Sequence, residues 1–376
     1  MFAISQENVL SAGGQRPVRE ANRVWEVERN MSKGQVKFSL SLVAVIALIA
    51  VVVGVVAGRA SGGSDSGGGG GGAGGAAAGK KVDVIIKASD SSFWQTMLAG
   101  SARASKDYGM KVGLFGPTSE TDVNQQVQLI ENSISRGVNA IVLAPNSSEA
   151  LNSAIKRARD AGIKVVTVDT AVTTDSDGFI GTDNVKAGEQ AGQTLCQLIK
   201  AQSKSSGSVL IESSVAGVQT IKDRDTGFKR GLAATCPAVK VSAQRFNNND
   251  INTAASQVND VLTANPDIVG IFADNNTSGV GAARAIKDNK VADKVPVVAF
   301  DTDPQENAAL ADGSIDALVV QNPYFFGYQG VIEAGMASVG SLPPPKLDPG
   351  AVVATTKNAN DPTVKPLLHP PTAKAS

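Results

Sequence analysis

Histidine is almost missing from this chain: one occurs in 376 residues, His369, and it lies in a proline-rich C-terminal stretch. That scarcity excludes a Ser-His-Asp relay and a histidine-ligated metal centre. Cysteine is nearly as rare, with only Cys196 and Cys236, and neither has a histidine to activate it. Excess charge is missing too, because 35 basic residues balance 35 acidic ones. A neutral chain offers no electrostatic footprint for nucleic acid or another polyanion. No G-x-x-x-x-G-K-[ST] phosphate loop occurs, which removes the usual nucleotide-hydrolase signature. Aromatic residues make up only 4%, so the adjacent pair Phe93-Trp94 stands out.

What the chain does have begins with an uncharged apolar run at 38–57 (FSLSLVAVIALIAVVVGVVA), about the length that spans a bilayer. Lys33 and Lys37 precede it and place 1–37 on the cytoplasmic side. Met31 is a candidate start, which would leave a short basic n-region. Small residues at Gly58 and Ala60 leave two readings open, an uncleaved anchor or a cleaved signal peptide. No cysteine directly follows the run, which excludes a lipidated lipoprotein. Residues 58–79 read as a glycine-rich linker with a reach of roughly 25 Å. Everything from residue 80 onward is expected outside the membrane. In that oxidising setting Cys196 and Cys236, each late in an expected helix, are candidates for a disulfide.

From residue 81 strand and helix patterns alternate, which implies parallel sheets with right-handed crossovers. The rhythm restarts after 178–184, so two sheets of about five or six strands each are expected in series. The fold class is α/β, with two similar Rossmann-like lobes. Four of the β-branched runs stop on one hydrogen-bonding side chain: 163–169 on Asp169, 268–275 on Asn275, 295–301 on Asp301 and 315–321 on Gln321. In open α/β sheets ligands bind outside the carboxyl ends of the strands. Two carboxylates and two amides there suit a polyhydroxylated ligand better than a phosphate. The stretch 358–376 carries four prolines without periodicity and is expected to be disordered.

Several separated motifs then fall in a familiar order. They are Lys87-Ala-Ser-Asp-Ser-Ser-Phe-Trp94, Val166-Thr-Val-Asp169, Gly181-Thr-Asp-Asn184, Arg224-Asp-Thr-Gly-Phe228, Phe272-Ala-Asp-Asn275, Ala299-Phe-Asp301 and Gln321-Asn-Pro323. With them, residues 81–357 resemble the periplasmic sugar-binding proteins of the ribose/allose-binding type, the substrate-binding components of ATP-driven (ABC) importers. The resemblance implies two lobes joined by a three-crossing hinge, near Thr182, Gln321 and Gly350. The first lobe is then 81–182 plus 322–350, and the second 183–321 plus 351–357. It also implies a monomer that clamps a monosaccharide, partners an ABC permease, and uses no cofactor and no metal.

Residue by residue, the resemblance assigns ring stacking to Phe93 and Trp94, since a sugar has an apolar C–H face. It assigns hydroxyl recognition to Asp169, Asp301, Arg224, Asn275 and Gln321. Lys87, Ser91, Glu120, Thr170 and Asn249 are further candidate contacts. Three departures point away from ribose: Asp90-Ser-Ser92 in place of Asn-Asn-Pro, Thr170 where ribose binders carry Arg, and Ala144 where they carry Asn. Lys87 and the 117–122 segment resemble the allose-binding branch. The resemblance makes catalysis unexpected and an extracytoplasmic location expected. A membrane-anchored sugar sensor is the competing reading, and a repressor is excluded because no helix-turn-helix precedes the lobes.

Overall fold

The computed structural model describes residues 75–373. The apolar run 38–57 lies outside them, and among the described residues no helix is long and apolar enough to cross a membrane. Among the described residues eleven strands form two sheets. The first is built from β1 (Lys81–Ile85), β2 (Lys111–Phe115), β3 (Ala140–Leu143), β4 (Lys164–Val168) and β5 (Gly178–Ile180) in the order β2-β1-β3-β4-β5. The second holds β6 (Gly207–Ser213), β7 (Val239–Phe246), β8 (Ile268–Ala273), β9 (Val297–Phe300), β10 (Ala317–Val320) and β11 (Val352–Ala354), ordered β11-β10-β9-β8-β6-β7. Within each sheet the first strand of the lobe lies between the second and the third, so the two lobes share one winding. All pairings are parallel except β10 with β11.

Parallel strands covered on both faces must be apolar throughout, and β8 is buried at all of its residues. Helices cover these faces. They are α1 (Ser92–Tyr108), α2 (Val123–Ser135), α3 (Asn152–Asp160), α4 (Asn184–Ala201), α5 (Gln219–Thr235), α6 (Ile251–Ala264), α7 (Asn276–Asn289), α8 (Pro304–Asp312), α9 (Pro323–Ala337) and the short α10 (Lys365–Leu368). Helices α8 and α9 follow β9 and β10 and continue the alternation. Asn322 caps α9 by accepting from the Phe325 N–H, and Phe326 and Val331 pack into the core of the first sheet. The chain therefore passes between the sheets after Ile180, after Val320 and after Leu347, which bridges back to Ile180.

Helix α4 lies against α5 so closely that a Cβ on Gly188 would run into the Arg224 carbonyl. Only glycine permits that approach, and it fixes the backbone that carries Arg224. The Cys196–Cys236 disulfide, with Cα atoms 5.8 Å apart, staples the far ends of the same pair. Closing a loop of this length stabilises the fold by about 4 kcal/mol on loop-entropy grounds.

Two boundary expectations need correction. The end of the linker belongs to the body: Ala77 is buried in the first core, and the Gly79 N–H donates to the Gly109 carbonyl at 2.9 Å. Residues 358–373 are not disordered either. Val364 and Leu368 fill the core of the second lobe, where two apolar anchors suffice for a segment too short to show periodicity.

Candidate functional site

The strand ends of both sheets converge on one cavity of about 490 Å3, mouth included. Lys87, Ser91, Phe93, Trp94, Glu120 and Asp169 form the first wall. The opposite wall includes Arg224, Asn249, Asn275 and Asp301. Of the candidate ligand residues, only Thr170 and Gln321 stand back from the surface.

Two buried ion pairs face each other. On the first lobe the Lys87 ammonium lies 2.7 Å from Asp169 Oδ2 and donates to Thr170 Oγ1 at 2.7 Å. Thr170 donates in turn to Asp169 Oδ2 at 2.9 Å, closing a triangle of ammonium, hydroxyl and carboxylate. A buried lysine needs such partners, since removing either member of a buried pair costs about 3–5 kcal/mol. On the second lobe Arg224 Nη1 lies 3.8 Å from Asp301 Oδ2, and the guanidinium sits 4.2 Å from the Phe300 ring centroid. Asn184 Oδ1 accepts from Arg224 Nε at 2.8 Å and the Asp274 carbonyl accepts from Nη1 at 2.7 Å. Among the described residues Nη2 has no partner, which leaves donors available to a ligand.

Asp169 and Asp301 occupy equivalent strand ends, after β4 and after β9, and share an unusual backbone. Their φ angles are 63° and 76°, in the left-handed region that Asp and Asn tolerate best among non-glycine residues. Each N–H donates to the neighbouring strand, Asp169 to Ile180 at 2.8 Å and Asp301 to Val319 at 2.9 Å. This turn aims both carboxylates away from the sheet and into the cleft. Burial pushes the Asp301 carboxyl up, while Arg224 and Gln321 pull it back.

Phe93 and Trp94 are both buried core residues and cavity wall, packed edge to face with centroids 4.7 Å apart. Trp94 Nε1 donates to Glu120 Oε1 at 2.6 Å. Burial raises the Glu120 carboxyl, opposed first by the charge of Lys87 and then by that indole. Three carboxylates therefore share the cavity wall with two cations, and both cations already have carboxylate partners. An anionic ligand finds little here; a neutral one rich in hydroxyls finds donors and acceptors on both sides.

The amide residues divide their duties. Asn275 caps α7 by accepting from the Ser278 N–H at 2.9 Å, and its Nδ2 donates to Asn249 Oδ1 at 2.8 Å. Ser91 precedes α1 as its N-cap and uses no side-chain bond there. Gln321 lies behind Asp301, donating from Nε2 to Oδ1 at 2.7 Å, while its Oε1 has no partner among the described residues. Thr170 supports Lys87 and Asp169 in the same way. The two are positioning residues for the carboxylates.

Sequence reasoning missed Ser214, Val218, Thr220, Ile221, Asn276 and Thr277, which complete the second wall. Ser214 could have been found, because the run 209–214 also ends on a hydroxyl at a strand terminus. Val218 to Ile221 gave no signal, because α5 begins at Gln219 and its first turn breaks no apolar pattern.

Comparison with known proteins agrees with this architecture. The ribose import binding protein RbsB of Salmonella typhimurium is 28% identical over 252 residues, covering 66% of this chain and 82% of that protein. The D-allose-binding periplasmic protein of Escherichia coli is 28% identical over 256 residues, covering 66% and 81%. Among solved structures, a carbohydrate transporter solute-binding protein from Agrobacterium radiobacter in complex with D-arabinose superposes with a TM-score of 0.76 at 35% identity, covering 77% of this chain and 99% of that one. The family model for the periplasmic binding protein domain matches residues 82–337, and the chain belongs to that family.

Proposed function

We propose that this protein captures a monosaccharide between its two lobes outside the cytoplasm and delivers it to an ABC-type importer. The observation that carries the reading is the pair of facing ion pairs, Lys87–Asp169 and Arg224–Asp301, set beside Phe93 and Trp94 in one buried cavity. Carboxylates accept from adjacent sugar hydroxyls, the guanidinium donates in a planar fork, and the aromatic pair covers the apolar ring face. The related proteins that bind ribose, D-allose and D-arabinose support a sugar ligand. Closure of the lobes around that ligand is the switching step, and the permease reads the closed form.

A hexose or cyclic polyol is favoured over ribose. Ala144 offers no polar side chain at the end of β3, and its carbonyl is taken by Gln126 Nε2 at 2.8 Å. Thr170 is turned toward Lys87, away from the cavity surface, and Glu120 adds an acceptor on the aromatic side. The protein acts as a monomer outside the cytoplasm, either membrane-anchored or secreted, and no catalytic step is assigned to it.

A panel of pentoses, hexoses and inositols, screened by thermal shift and titrated by calorimetry, tests the reading. One sugar should bind tightly without metal, and Asp301→Ala or Arg224→Ala should abolish its binding while both variants remain folded. Unchanged affinity in both variants would sink the site assignment.

A further inference from the structure

The C-terminal residues make a further crossing between the lobes. Leu368 is anchored in the core of the second lobe. Its carbonyl accepts from Asn307 Nδ2 at 2.6 Å and from Thr302 Oγ1 at 3.3 Å. Five residues later the chain has reached the first lobe, where the Ala373 N–H donates to the Gln95 carbonyl at 3.1 Å. The Ala373 methyl also packs against the apolar core of that lobe. Gln95 directly follows the Phe93-Trp94 pair, and its side-chain amide holds the Ser89 carbonyl of the preceding turn at 2.8 Å. Between its two anchors the segment runs over a chamber lined by Ser92 and Thr96 of the first lobe, Thr302 and Asn307 of the second, and Pro370 and Thr372 of the segment itself.

We propose that residues 368–373 form a strap that fastens the two lobes together on the aromatic side of the cleft and biases the protein toward its closed arrangement. The strap is short and stiff. Pro370 and Pro371 fix two of its φ angles, and an extended chain gains only about 3.1 Å per residue. It has little slack to follow lobes that move apart, so opening must break the Ala373–Gln95 contact. That contact is one hydrogen bond and one methyl group, weak enough to release. A contact made only in the closed arrangement shifts the open–closed balance by its own strength, and raises sugar affinity by the same factor. The shift expected of one net hydrogen bond is roughly two- to tenfold.

The test adds no sugar, so its outcome is independent of the sugar-binding reading. Dyes are placed at Lys106→Cys on α1 and Asp288→Cys on α7, both exposed, in the full chain. The native cysteines are bridged and do not label. Energy transfer is compared for the full-length C-terminus, a chain ending at Pro370, and Ala373→Pro, which removes the donating N–H. Both altered chains should show lower transfer, meaning a larger open population, with their melting temperatures little changed. Transfer identical to that of the unaltered strap overturns the proposal. Where the truncated chain does not fold, Ala373→Pro alone decides.

Discussion

Thr170 Oγ1 stands 3.4 Å from Thr220 Oγ1, with one hydroxyl on the first lobe and the other on the second. Thr170 also receives Lys87 and donates to Asp169, so this contact joins the Lys87–Asp169 pair to the wall that carries Arg224. Lobes this close describe a closed cleft. The contact makes the polar network of one lobe responsive to the position of the other.

Replacing Thr220 with valine keeps the shape and removes the hydroxyl. A net hydrogen bond is worth about 0.5–1.5 kcal/mol, so sugar affinity should fall roughly two- to tenfold, with unfolding in the absence of sugar little altered. Thr170→Val should cost more, because Lys87 and Asp169 lose a shared partner as well. Calorimetric titration of both single variants and the double variant measures the coupling across the cleft. Strictly additive effects would show that the two hydroxyls act separately.

The left-handed backbone at Asp301 makes a second, independent prediction. Asp301→Asn retains a residue suited to φ 76° and an acceptor for Gln321, whereas Asp301→Ala retains neither. Both lose the charge facing Arg224, so both should lose sugar binding. They should differ in urea denaturation, with the alanine variant less stable than the asparagine variant by about 1–3 kcal/mol. Equal stability would remove backbone conformation from the account of this turn.

The principal site residues were legible because a buried parallel strand must be apolar, so a run that halts on Asp169 or Asp301 marks the edge of the cleft. The same rule could not tell cavity wall from the layer behind it. Gln321 and Thr170 end up supporting carboxylates because the left-handed turns swing Asp169 and Asp301 forward and leave their neighbours behind. Thr220 and Ile221 were invisible, since they belong to the first turn of an amphipathic helix and break no pattern. The crossing at 368–373 was hidden by its prolines, which read as disorder in sequence and serve as a rigid span in the structure.

Beneath the second wall, Glu212 near the end of β6 is fully buried. Its Oε1 accepts from Asn247 Nδ2 at 3.0 Å, and Oε2 has no partner among the described residues. Burial pushes this carboxyl up from the usual 4.5 to about 7. Glu333 is likewise raised to about 7 by burial. A carboxyl with a raised folded value binds more protons in the fold than in the unfolded chain. Its stabilising effect is therefore complete below 4.5 and is lost as pH rises to about 7. Unfolding measured at about pH 5 and about pH 8 should show a more stable protein in acid over this window. Glu212→Gln keeps the acceptor for Asn247 and carries no charge at any pH. It should flatten part of the slope, leaving the shares of Glu333 and the other carboxyls that burial raises, and should be more stable than the unaltered chain at the alkaline end. A variant with the full original slope would mean that Glu212 stays ionised inside the fold.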